Sequence, residues 1–364
     1  MARIVGGIGA SHSPTIGFAK DTGKHNDPAW KPIFEGFDAI RAWVHEKKVD
    51  VLFTIYNDHI TSFFFDHYSS FVLGIDDQYV AADEGGGPRD VAPAMGHLGL
   101  SQHIGMSLVA DEFDMSFFQG KPVDHGFLSP LSMLGDANGP WPGKVVPLQV
   151  GVLQLPIPNA KRMWKLGKAL RRAVESYPED LNVAIMATGG LSHQVHGERA
   201  GFLNEAWDAE FLELLEKSPD RLVNMRLAEY AEKGGMEGAE VIMWLIMRGA
   251  LSEQVKLVQR VRAFYPDTII ASIPNGGDRT ASERVRLHSE GVLAGMPDLC
   301  VLEAKNGFYG LFVEMKTDTG KVSSKQSDIK LQLNAKGYKA VVARSAAEAI
   351  KTIEEYLNGT QHIG

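Results

Sequence analysis

Residues 181–193 read LNVAIMATGGLSH: a short apolar run, a Gly189-Gly190 stop and a histidine at 193. The run has strand length and ends in turn residues. The same pattern recurs elsewhere, with residues 3–8 leading to Ser11-His12-Ser13-Pro14 and residues 49–56 leading to Asn57-Asp58-His59. Residues 144–152 read as a further strand. Between strands, Met163, Leu166, Leu170 and Val174 recur at helical spacing, as do Phe211, Leu212, Leu214 and Leu215 after Trp207. Strands alternating with amphipathic helices predict an α/β layered domain whose sheet is covered on both faces.

The 364 residues are 44% hydrophobic and 23% charged, a globular composition with room for one large and one small domain. Cys300 is the sole cysteine, so no internal disulfide is possible. No charged-then-apolar leader and no run of about 18 apolar residues is present, which predicts no membrane span and a reduced, cytoplasmic setting. Charge is uneven. Residues 1–252 carry 22 Lys+Arg against 32 Asp+Glu, net −10, and residues 253–364 carry 15 against 13, net +2. Ten of the twelve histidines precede residue 200, where proton chemistry or a metal would use them.

The three polar motifs follow predicted strands, and ligands of open α/β sheets bind beyond the carboxyl ends of strands. Histidines there can converge on one site. A fourth element, EGAEVIMWLIMRGAL, places Glu240 at the head of a helix apolar all round and therefore buried. A carboxylate entering such a helix needs a partner or a metal, because burying it unpaired costs several kcal/mol. Two imidazoles and one carboxylate with open positions suit non-haem iron(II). Taken singly, each histidine is better explained by a structural hydrogen bond, and Glu240 by its helix N-terminus. Gly7-Ile8-Gly9 and Gly85-Gly86-Gly87 complete neither the dinucleotide nor the P-loop pattern and read as turns.

The strings SHSPTIGFA, YNDHITSFFFDHYSSF, ADEGGGPR, LVADEFDMSFFQGK, DHGFLSPLSML, VPLQVGVLQ, ATGGLSHQVHGERAGF and EGAEVIMWLIMRGAL resemble the gallate branch of the protocatechuate 4,5-dioxygenase catalytic-subunit family. These are class III extradiol dioxygenases, and the resemblance covers residues 1–251. It implies iron(II) held by His12, His59 and Glu240, with Glu237 one helical turn away as the rival ligand. It further implies His193 as acid/base and His125 as a pocket residue hydrogen-bonding substrate or oxygen. The implied substrates are an aromatic diol acid, gallate or protocatechuate, and O2. Relatives continue past the RGAL helix into a segment that contacts the substrate carboxylate, and they use a small helical domain or subunit; neither is recognisable here. A homodimer is a further expectation.

Beyond residue 252 the texture changes. A helix over 253–264, a strand over 268–273, a Pro274-Asn275-Gly276-Gly277 break, a polar helix and two strands around Asn306-Gly307 are expected. A strand over 339–344, a helix over 346–357 and a frayed tail follow. Strand alternation puts Glu314 and Lys316 on one face, as a magnesium carboxylate and a lysine beside a scissile phosphate require. Asp298 on the partner strand can complete that site. A two-residue Asn306-Gly307 turn would instead set Asp298 opposite Met315, so the site demands an odd loop, a bend or a β-bulge.

The strings IPNGG, EGVLAGMPDL, FVEMK and SSKQ resemble the virus-type replication-repair nuclease (VRR-NUC) domain of the PD-(D/E)XK superfamily, over residues 253–345. The resemblance implies Asp298, Glu314 and Glu253 as ligands of Mg(II) or Mn(II), Lys316 as catalytic lysine and Gln326 in support. DNA is the implied partner, with Arg260, Arg262, Arg279, Arg284 and Arg286 available to phosphates.

Expected, then, is a dioxygenase domain at 1–251 followed by a small α/β restriction-endonuclease-like domain at 252–358, a pairing that a recombined or artificial fusion would produce. Two alternatives remain. Either the nuclease alone is active beside a truncated metal-binding remnant, or neither half turns over and the chain tethers an iron- and phenol-binding module to DNA.

Overall fold

The structure is a computed structural model that describes residues 1–85, 87–135, 141–257, 270–272, 296–301, 304–317 and 319–358. The chain divides into two compact units, Met1–Gln194 with Phe202–Ala263, and Val195–Gly201 with Phe264–Gly364.

In the first unit, β1 (Arg3–Ala10), β2 (Val51–Tyr56), β3 (Phe71–Gly74), a β4–β5 pair (Gln78–Tyr79 and Ala94–Met95), β6 (Ser116–Phe118), β7 (Lys144–Val150) and β8 (Asn182–Thr188) occur in chain order. Six of them form one sheet in the order β1-β8-β2-β7-β3-β6. The run β1-β8-β2-β7 is parallel, and β3 joins β7 antiparallel. Strand bounds read from the sequence agree to within two residues. β3 and β6 were not anticipated, being only four and three residues long.

Both faces are covered, as the continuous apolar runs require. Val51, Phe53, Ile55, Val183 and Ile185 enter one core, and the intervening Leu52, Tyr56, Ala184 and Met186 enter the other. The first core is roofed by α3 (Leu98–Ala110), α5 (Ala160–Glu175), α6 (Glu205–Lys217) and α9 (Trp244–Ala250). The second lies under α1 (Pro14–Asp21), α2 (Lys31–Glu46) and α4 (His125–Ser132). Two short helices, α7 (Pro219–Asn224) and α8 (Leu227–Gly234), lie between α6 and the Glu240 segment. Met163, Leu166, Leu170 and Val174 are each fully buried on α5. Helices α5 and α9 cross where Gly167 meets Gly249, and a Cβ on Gly167 would lie 2.2 Å from the Ile246 carbonyl oxygen.

The segment bearing Glu240 differs from the regular helix expected: Glu237–Met243 is a 3₁₀ helix that becomes α-helical only at Trp244. Helix α9 ends at Leu251, whose backbone is extended. The helix expected from Glu253 does not start there, since residues 253–257 are irregular. The reason lies in Arg248, whose buried guanidinium donates to the carbonyl oxygens of Leu215 (2.8 Å), Ser252 (2.9 Å) and Glu253 (2.9 Å). These bonds tie Ser252 and Glu253 back to α9 in the irregular course that follows the extended Leu251.

The second unit holds a four-stranded sheet, β9 (Ile270–Ser272), β10 (Leu299–Val301), β11 (Leu311–Met315) and β12 (Lys339–Ala343), in the order β12-β11-β10-β9. Helices α10 (Ser324–Ala335) and α11 (Ala346–Asn358) accompany it. Val301, Leu311, Val313, Ala343, Ala349 and Tyr356 form its core. The Pro274–Gly277 break, the polar helix after it, the five arginines from Arg260 to Arg286 and the tail lie outside the described residues.

Candidate metal centres

The neighbouring parallel strands β1, β8 and β2 all end at one edge of the sheet, and His12, His193 and His59 follow those ends. Glu240 arrives from the 3₁₀ segment. The ligand atoms of His12, His59 and Glu240 lie within 4.8 Å of one another. Glu237 belongs to neither ligand group found among the described residues.

Each side chain is held from behind. His12 places Nδ1 3.1 Å from Thr188 Oγ1 and Nε2 3.1 Å from Glu240 Oε1. His59 places Nδ1 2.8 Å from Asp124 Oδ2, and its backbone N–H donates to the same oxygen at 2.7 Å. This carboxylate–imidazole pairing fixes the ring and turns Nε2, which has one long contact of 3.4 Å to Asn57 Nδ2, to the ligand side. Glu240 is 4% exposed and accepts the Gly190 backbone N–H on Oε1. A Cβ at 190 would lie 2.6 Å from His193 Cε1, so any side chain there would displace the His193 ring.

His193 stands at the rim, its Nδ1 2.8 Å from the Leu191 carbonyl oxygen and its Nε2 4.0 Å from Glu240 Oε1. His125 stacks on His59 with ring centroids 4.0 Å apart, and its Nδ1 is 2.5 Å from Glu84 Oε1. Beside these rings an open cavity of about 530 Å³ is lined by Pro14, His59, Ile60, Thr61, Asp83, Glu84, Gly85 and His125.

Electrostatics follow from this packing. Burial pushes the Glu240 carboxyl up, but His12, His193 and the Gly190 N–H outweigh it and hold the group at about 2. Burial pushes His59 down, and the hydrogen bond and charge of Asp124, with Glu240 and Asp58, raise it overall. Asp124 is lowered: burial opposes ionisation, and His59 and His125 overcome it.

A second group, His59, Asp124 and His125, is also close enough to share an ion. Asp124, however, is fully buried and already accepts from His59 N, His59 Nδ1 and Gly126 N. It is therefore a support for His59. The ionised Glu240 between two imidazoles is the donor set that suits a divalent transition metal. Asp124, Glu84, Thr188 and the Gly190 N–H were not singled out by sequence reasoning. Asp124 adjoins a motif histidine, and that adjacency is the signal that was available.

In the second unit, Leu299, Cys300 and Val301 pair with Val313, Phe312 and Leu311, while Lys305 pairs with Phe308 around Asn306-Gly307. Continued from that turn, the pairing would put Val301 opposite Phe312; the ladder is shifted by one residue. The shift sets Asp298 level with Glu314, the register for which an odd loop or bulge was required. Asp298 Oδ2 accepts the Met315 N–H at 2.7 Å. Glu314 is 4% exposed; its Oε1 accepts from Lys316 Nζ at 2.7 Å and from Gln326 Nε2. Gln326 is held by a capping box, its Oε1 accepting the Ser323 N–H at 2.9 Å. The other oxygen, Glu314 Oε2, is buried without a hydrogen-bond partner. A buried carboxylate oxygen without a partner, on a residue level in register with Asp298, fits a divalent cation. Glu253 belongs to the first unit, is exposed, and contributes its carbonyl to Arg248.

Residues 6–272 match the family described as the catalytic LigB subunit of aromatic ring-opening dioxygenase. Residues 234–347 match the VRR-NUC domain. Over 225 residues the chain is 59% identical to a gallate dioxygenase of Pseudomonas putida, covering 60% of this chain and 66% of that protein. Identity is 29% over 194 residues to a 2,3-dihydroxyphenylpropionate/2,3-dihydroxicinnamic acid 1,2-dioxygenase of Pseudomonas putida, covering 50% and 55% respectively. The chain thus spans less than two thirds of each of these relatives. A solved VRR_NUC domain protein is 28% identical and has a TM-score of 0.22, covering 29% of this chain and 79% of that one.

Proposed function

Since the chain belongs to the family of catalytic LigB subunits of aromatic ring-opening dioxygenases, we propose that its first unit opens the ring of gallate or protocatechuate beside the diol, with iron(II) held by His12, His59 and Glu240. The observation that carries the reading is the convergence of those three ligands, each fixed by a partner behind it, at one edge of a parallel sheet. Bound there, iron(II) supplies Lewis acidity and open positions for neighbouring ring hydroxyls and O2.

The protein's own work is proton handling and orientation. His193, with Nδ1 held at the Leu191 carbonyl, presents Nε2 to take a ring hydroxyl proton and return it as the ring opens. His125 lines the cavity and hydrogen-bonds the substrate. The test is product identity. Anaerobically reconstituted protein mixed with gallate or protocatechuate and O2 yields a ring cut next to the diol. A product cut between the two hydroxyls, or unreacted substrate from fully loaded protein, would overturn the proposal.

A second activity is proposed for the second unit, DNA cleavage with Mg(II) or Mn(II) at Asp298 and Glu314, with Lys316 as catalytic lysine and Gln326 in support. The orphaned Glu314 Oε2 favours it. Glu253 remains a proposal on resemblance alone. The join between the two domains is proposed at Leu251-Ser252, where α9 ends, although the first compact unit continues to Ala263. Among the described residues no helix is long and apolar enough to cross a membrane. A reducing cytoplasm and a homodimer are proposed as the working state.

A further inference from the structure

The ADEGGGPR stretch, residues 82–89, has no assigned task in the chemistry above, although it forms one wall of the cavity. Its construction is specific. Ala82 N–H donates to the Val123 carbonyl at 2.8 Å and Val123 N–H to the Val80 carbonyl at 2.9 Å, zipping the strand before the loop to the segment that carries Asp124 and His125. Asp83 Oδ1 then accepts the N–H groups of Gly85 (2.9 Å) and Gly87 (3.0 Å), tying both to the residue before Glu84. Gly85 and Gly87 both have positive φ, +101° and +88°, which side chains beyond glycine rarely adopt. On the far side Arg89 clamps Asp21 through two nitrogens, at 2.7 and 2.8 Å.

The loop so built presents Glu84 to His125. One oxygen, Glu84 Oε1, meets both His125 Nδ1 at 2.5 Å and the His125 backbone N–H at 3.1 Å. A carboxylate is an acceptor only, so Nδ1 must be the nitrogen that carries a hydrogen, and Nε2 is the atom left for the cavity. The ring is at the same time stacked on His59. We propose that Glu84 is a positioning residue that acts through His125, setting its tautomer and ring orientation so that Nε2 receives a hydrogen bond from the bound aromatic diol. The glycine-rich loop is the mount that holds Glu84 in place. This rests on the ring-opening reading of the site.

The experiment is a double-mutant cycle on substrate binding without turnover. Iron(II)-loaded wild type, Glu84→Ala, Glu84→Gln, His125→Ala and the double alanine variant are titrated with gallate and with protocatechuate under argon, and iron content and thermal unfolding are measured on each. Glu84→Ala removes both bonds to His125, and losing the charge-assisted one to the ring predicts about tenfold weaker substrate binding. Iron content and unfolding temperature stay at wild-type values. Glu84→Gln, which keeps an acceptor oxygen, recovers part of the loss. In the His125→Ala background the Glu84→Ala change adds less than roughly twofold. Wild-type affinity in Glu84→Ala, the same loss in both backgrounds, or a loss of iron or stability would each overturn the proposal. A wild-type protein that holds iron and binds neither acid would instead refute the parent reading, and this inference with it.

Discussion

Asp124 is fully buried and supports His59 at the proposed iron centre. Its Oδ2 accepts from His59 Nδ1 (2.8 Å) and His59 N (2.7 Å), and its Oδ1 accepts from Gly126 N (3.0 Å) at the start of α4. Asp124→Asn keeps the shape and one acceptor oxygen but replaces the other with an NH₂ donor and removes the charge. One of two things must follow. Either the amide NH₂ faces the His59 N–H groups and the ring swings away, or the amide turns and the Gly126 cap is lost. The hydrogen bond to the imidazole is charge-assisted, worth about 1.5–3 kcal/mol, and loss of such a support typically weakens metal binding by roughly 10–100-fold. We expect iron(II) affinity to fall within that range while the fold survives. Asp124→Ala goes further, stranding buried N–H groups at about 1–3 kcal/mol each, and should lower stability as well. Anaerobic iron(II) titration alongside urea unfolding separates the two effects. Wild-type iron affinity in a folded Asp124→Asn protein would refute the reasoning.

Glu240 makes a pH prediction for the metal-free protein. Its folded value of about 2 lies below the ordinary 4.5, so its stabilising contribution is complete above about pH 4.5 and is lost as pH falls toward 2. That contribution is on the order of 3 kcal/mol; urea unfolding should therefore weaken more steeply with acid in wild type than in Glu240→Gln, and parallel slopes would contradict this. Arg248→Met strips donors from three carbonyl oxygens and should cost about 3 kcal/mol, read as a lower unfolding temperature; an unchanged one would show those bonds to be dispensable. Lys316→Ala should abolish Mg(II)-dependent DNA cleavage and leave O2 uptake intact, and cleavage that persists would remove Lys316 from the proposed site.

Much of this was legible in the chain because local rules and burial agree. The continuous apolar runs of β2, β7 and β8 lie inside a doubly covered sheet and were read with nearly correct bounds, as was the edge strand β1 from its leading apolar residues and its Ser11-His12 stop. β3 and β6 were not, because at three or four residues they carry no periodicity above background. The histidines were found because strand ends are where a parallel sheet presents side chains. Their supports were missed because Asp124 is 65 residues from His59 and Glu84 is 41 from His125, separations on which spacing is silent. The 3₁₀ form of Glu237–Met243 was misread as regular helix, and so were residues 253–257, the described start of the helix expected over 253–264. At Leu251, Arg248 overrides local propensity by binding the carbonyl oxygens. The one-residue register shift between β10 and β11 was anticipated because strand alternation makes Asp298 and Glu314 incompatible without it.

The most direct measurement is oxygen consumption by protein reconstituted anaerobically with iron(II), given gallate or protocatechuate, with His193→Ala alongside. The account predicts uptake matched to substrate in wild type, and its loss in His193→Ala at undiminished iron content. Stoichiometric iron with no uptake from either acid in wild type, or equal uptake in the variant, would contradict it.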